Sequence, residues 1–135
     1  MASRLWNNRM LHLRDDPVTL WGKVTIAGSG VATLVTANSA SKGLQTFARD
    51  AAGVYTLTLS DIYSAFLGLN ITPLLAGPAD FALKWQLRSQ DVAGTKAIVI
   101  EFRDTTEAGT NGNLTEVASG VELYITVQVA NSSGS

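Results

Sequence analysis

The chain has one histidine, His12, and it is the only residue that could serve as the base of a Ser-His-Asp triad. It lies in an N-terminal stretch with no strand or helix period, a poor platform for preorganised chemistry. Paired carboxylates are the next source of acid–base chemistry. The candidates are Asp15–Asp16, Asp50 with Asp61, and Asp104 with Glu107. Nothing in their spacing sets a pair across a cleft. Asp15–Asp16 precede Pro17, as in a turn, and Asp61 follows Ser60, a combination suited to a first helical turn. Residues 104–116 offer Asp104, Glu107, Asn111, Asn113 and Glu116 as oxygen ligands, but their order is not that of an EF-hand loop, so the segment reads as an exposed metal-free loop. Gly28-Ser29-Gly30 lacks the lysine and the long helix of a phosphate cradle and reads as a hairpin turn. There is no cysteine, which excludes disulfides and thiolate metal sites. The expectation is a protein that is not an enzyme, with no catalytic, cofactor-binding or metal-binding residues.

The elements that hold these residues are strands. Strict alternation over 81–88 puts Phe81, Leu83, Trp85 and Leu87 on a dry face and Ala82, Lys84, Gln86 and Arg88 on a wet one. Residues 121–129 repeat this, with Val121, Leu123, Ile125, Val127 and Val129 against Glu122, Tyr124, Thr126 and Gln128. In 54–59, Tyr55, Leu57 and Leu59 share one parity, and in 98–103 Ile98, Ile100 and Phe102 do. Weaker patterns predict strands over 18–26, 30–36, 44–49 and 67–75, the last not central because Pro73 cannot donate to a ladder. Glycine-rich punctuation separates the runs. The fold class is therefore all-β, a β-sandwich or jelly-roll-like barrel of about eight short strands with at most one short helix. That helix is expected at 61–67, with Ser60 as N-cap and Ile62 and Phe66 packing together. Leu83, Trp85, Leu87, Leu123, Ile125 and Val127 are the expected core.

At 135 residues the chain fits one domain able to hold a core without staples. We divide it into an N-terminal arm, 1–17, and a single β domain, 18–135. The net charge is -1, without the basic signature of a nucleic-acid binder. No apolar run is long enough for a membrane span, and polar residues interrupt any signal-peptide core near the N-terminus. Three N-x-[ST] triplets, at Asn70, Asn113 and Asn131, are accordingly read as chance. The arm mixes apolar Leu5, Trp6, Met10, Leu11 and Leu13 with Arg4, Arg9 and Arg14. It either packs on its own domain or docks onto another chain, since Trp, Met and Arg are enriched at interface cores. Arg4, Leu5, Trp6, Arg9, Met10, Leu11 and Arg14 are the candidate partner-interface residues.

The run GVYTLTLSDIYSAFLGLNIT, Gly53 to Thr72, and the closing VASGVELYITVQVANSS, Val117 to Ser133, resemble small β-rich virion proteins of tailed bacteriophages. The likeness is one of layout: short alternating strands, Gly-Ser-Thr-Asn turns and a polar tail. It implies a capsid decoration (cement) protein, made in the host cytoplasm and carried on the capsid exterior. Its partner would be the major capsid protein, it would form a homo-oligomer, trimer or dimer, and it would contact neither nucleic acid nor membrane. The alternatives are a tail, baseplate or fibre-associated structural protein, or a carbohydrate-binding β-sandwich, for which Trp21 and Tyr124 have the wet parity and Trp6 is a further aromatic.

Overall fold

The computed structural model describes residues 17–77, 82–105 and 112–130. Eight strands run in order: β1 (Pro17–Ile26), β2 (Ala32–Val35), β3 (Leu44–Ala51), β4 (Val54–Leu59), β5 (Ala65–Leu74), β6 (Leu83–Asp91), β7 (Ala97–Asp104) and β8 (Glu122–Ala130). They form two four-stranded antiparallel sheets, ordered β2-β1-β8-β5 and β3-β4-β7-β6. The architecture is a sandwich rather than a closed barrel. Each clear alternation in the sequence becomes a strand whose dry parity faces the opposite sheet. β8 lies inside its sheet between β1 and β5, and Leu123, Ile125, Val127 and Val129 are all buried. From the second sheet, Tyr55, Leu57, Leu59, Ile98, Ile100 and Phe102 meet them, each wholly shielded from solvent. Within that layer Tyr55 stacks on Phe47 at 5.4 Å and meets Phe102 edge-on at 5.6 Å.

The expected helix over 61–67 is not formed. Residues 61–64 are a non-helical connection, and β5 begins at Ala65. Ile62 and Phe66 therefore do not pack as helical neighbours: Ile62 is exposed, and Phe66 sits half-buried opposite Val129 of β8. The backbone carbonyl of Ala130 explains this, because it accepts from both the backbone N–H and the hydroxyl of Ser64. These long-range bonds start the ladder where an isolated turn of helix would have little support. The only helical pieces among the described residues are 3-10 turns at Gly28–Gly30 and Ala37–Ser39. The first closes the β1–β2 hairpin expected from Gly-Ser-Gly.

The two sides of the sandwich differ. On one, β2 packs beside β3, and a bridge between Trp21 and Lys42 ties the sheets together. Gly22 permits this approach, since a Cβ there would lie 2.5 Å from Leu44 Cδ1. On the other side β5 and β6 are edge strands, and they make no substantial contact with each other. The expected burial of Leu83, Trp85 and Leu87 needs correction on this account. All three face inward and pack against the core, but they are only half-buried because β6 is an edge strand. Pro73 sits on β5, at a sheet edge where a missing N–H is tolerated.

The 104–120 loop is anchored at its base. Residues 113–115 continue the line of β4 beside β7: the Asp104 N–H donates to Asn113 O at 2.9 Å and the Thr115 N–H to Phe102 O at 3.0 Å. Gly53, in the β3–β4 turn, makes room for this return. Its φ is +72°, and a Cβ there would stand 2.7 Å from the Thr115 amide nitrogen. Gly53→Ala is expected to cost about 1–3 kcal/mol through left-handed strain alone, with the backbone clash adding to it. A urea-denaturation midpoint unchanged from wild type would contradict this placement.

Candidate interaction surfaces

Arg4, Leu5, Trp6, Arg9, Met10, Leu11 and Arg14 lie outside the described residues, as do His12 and Asp15–Asp16. Of the other carboxylates, Asp50 accepts from the Thr56 hydroxyl, while Asp61 lies beyond the far end of β4. The six residues of β4 separate them by about 17–20 Å, too far for paired acid–base work. Glu116 is held by Arg49 across the base of the loop. No group of three His, Cys, Asp or Glu gathers as a metal site among the described residues.

The most distinctive surface is the open side. Phe66 and Leu69 on β5, Leu75 just beyond it, and Leu83, Trp85 and Leu87 on β6 are apolar, inward-leaning and half-buried. Leu67, which bulges from the β5–β8 ladder, and Leu74, opposite Glu122 on the outer face of the same edge strand, are 55% and 51% exposed. Single exposed apolar residues are ordinary. Here strand order gathers them beside two edges that no further strand pairs with among the described residues, a combination that natural sheets cover or protect.

A second surface is the outer face of the first sheet. Trp21 and Tyr124 are 43% and 40% exposed and diagonal neighbours across the β1–β8 ladder, with Asn70, Thr72, Thr126 and Gln128 around them. Both rings are engaged. The Trp21 indole N–H donates to Ser39 O at 3.3 Å, and Lys23 Nζ stands 5.9 Å from the Tyr124 ring centroid while pairing with Glu122 at 3.2 Å. That hydrogen bond and charge hold the Lys23 ammonium's pKa above its ordinary value.

The third feature, on the outer face of the second sheet, was not anticipated. Glu101, which the alternation places on a wet face, is 5% exposed. Its carboxylate accepts from Gln86 Nε2 at 2.6 Å, Arg88 Nε at 2.9 Å and Arg103 Nε at 3.1 Å. The Gln86 amide, with the two guanidinium groups behind it, keeps this carboxyl below its usual pKa against the opposing effect of burial. The network depends on Gln86 lying directly opposite Glu101, a register the sequence does not state. It is fully satisfied, and we read it as structural.

At the end of the sandwich where β1 begins, an open cleft of about 630 Å³ is lined by Val18, Ser60, Asp61, Ile62, Tyr63 and Lys96. Comparison of the chain with family models, curated proteins and solved structures finds no match.

Proposed function

We propose that this protein is a non-enzymatic structural component of a tailed-phage virion, a decoration protein that binds and reinforces the capsid lattice. The open β5–β6 side is the observation that carries the assembly part of this reading. It is an apolar strip beside sheet edges that no other strand among the described residues covers, and burial against a neighbour would complete the sandwich there. The head-protein part rests on the layout of the Gly53–Thr72 and Val117–Ser133 segments. A domain of this kind adds buried area at lattice seams, and a closed oligomer engaging several sites multiplies modest contacts into avidity.

Leu67 and Leu74 test the surface, because both are exposed and their replacement leaves the core intact. The wild-type chain is expected to be a homo-oligomer by light scattering, and Leu67→Lys combined with Leu74→Lys is expected to be monomeric with a melting temperature close to that of the wild-type protomer. A wild-type chain that stays monomeric at high concentration, or a double variant that assembles normally, would overturn this use of the open side.

A second reading, carbohydrate binding on the outer face of the first sheet, is favoured by the placement of Trp21 and Tyr124 on one surface. It is weakened by Lys23 over the Tyr124 ring. Glycan-array binding lost on Trp21→Ala would support it, and a blank array would dismiss it.

A further inference from the structure

We propose that the cleft beside Val18 is the seat of the chain's own N-terminal arm, residues 1–16, docked in cis. Pro17 opens β1 opposite Ala130, and Ala130 lies opposite Ala65 of β5. The preceding segment therefore leaves the domain at the end where Ser60–Ser64 run, and Val18, one residue further on, is itself part of the cleft wall.

Ile62 is 57% exposed, the most exposed large apolar side chain among the described residues, and it lines the cleft with Val18 and Tyr63, beside the polar Ser60, Asp61 and Lys96. The arm carries matching groups in Leu5, Trp6, Met10, Leu11 and Leu13. Asp61 at the cleft has no ion-pair partner among the described residues, whereas the arm carries Arg4, Arg9 and Arg14. Lys96 offers the complementary charge to Asp15 and Asp16.

The cleft is open to solvent, and its 630 Å³ leaves room for an indole and an aliphatic neighbour to lie against its wall. A span of sixteen residues can reach at most about 50–60 Å, ample for doubling back over a wall that begins at residue 18. Attachment at that wall gives an effective concentration on the order of millimolar, which favours the attached arm over one from another molecule. The arm would then complete the domain and leave the β5–β6 side as the surface for partners.

Because the chain has no cysteine, engineered pairs are clean reporters. Ile62→Cys is combined in turn with Leu5→Cys, Trp6→Cys, Met10→Cys or Leu11→Cys in the full chain, and each is oxidised at low protein concentration. Gln128→Cys with the same arm positions is the control, because Gln128 lies opposite Thr19 near the arm's exit but faces away on the outer surface. Ser60→Cys supplies a second reporter in the cleft wall, should Ile62→Cys perturb the fold. The expected result is an intrachain disulfide at one favoured arm position, forming about tenfold or more faster with the cleft reporters than with the Gln128→Cys control. Equal rates at cleft and control would mean a loose tether and overturn the proposal. Covalent dimers in place of the intrachain bond would also overturn it, assigning the cleft to the arm of a second copy.

Discussion

Replacing Tyr55 with alanine is expected to destabilise the protein by about 3–5 kcal/mol, the range for deleting a large buried aromatic. Tyr55 is wholly buried and sits between Phe47 and Phe102, so neighbouring rings cannot collapse into its place without breaking their own packing. Its hydroxyl also donates to Gly30 O at 3.1 Å, joining the second sheet to the β1–β2 turn of the first. Tyr55→Phe separates the two contributions. It keeps the ring but leaves a carbonyl without its donor, at a cost of about 1–3 kcal/mol. For a domain whose total stability is of order 5–15 kcal/mol, the alanine variant should be close to unfolding at elevated temperature. Urea melts of the two variants against wild type make the measurement. A loss below about 1 kcal/mol for Tyr55→Ala would mean that this ring stack is not the centre of the core.

The second large effect concerns Glu101. Glu101→Ala is expected to cost about 1.5–3 kcal/mol, as for hydrogen bonds made to a charged group. It leaves Gln86, Arg88 and Arg103 without their shared acceptor. The cost stays moderate because the Arg88 and Arg103 side chains, 49% and 27% exposed, can regain water. The same residue sets an acid dependence. The folded carboxyl titrates below its ordinary value of 4.5, so its contribution is complete above about pH 4.5 and declines as the pH falls through the folded value. Asp91, lowered by the Thr95 N–H in the β6–β7 turn, acts in the same direction, so the difference between wild type and Glu101→Gln is what isolates Glu101. Wild type should lose more melting temperature than Glu101→Gln below pH 4.5. Parallel pH profiles would show that the network contributes nothing through charge.

Much of the fold was written in side-chain parity. The alternation at 54–59, 98–103 and 121–129 gave the correct buried faces because a half-buried strand leaves no other place for Leu57, Ile100 or Ile125. Parity does not state strand order. Leu83, Trp85 and Leu87 have the same pattern as Leu123, Ile125 and Val127, yet one set lies on an edge strand and the other inside a sheet, and only the pairing of β8 with both β1 and β5 distinguishes them. The misread helix at 61–67 has a similar origin. A four-residue spacing of Ile62 and Phe66 fits one helical turn, but Ser64 bonded to Ala130 commits the chain to a ladder formed with residues far along the sequence. The same holds for the surfaces. Trp21 and Tyr124 were legible as outward-facing. The Glu101 network and the apolar open side were not, since each is made of residues brought together by register and strand order.

Co-sedimentation of the full chain with purified tailed-phage capsids tests the proposed capsid binding most directly. The account predicts saturable binding at a fixed number of copies per capsid, sharply reduced for the Leu67→Lys, Leu74→Lys double variant while its fold persists. A wild-type chain that stays in the supernatant at saturating concentration, no more particle-bound than an unrelated protein of the same size, would contradict it.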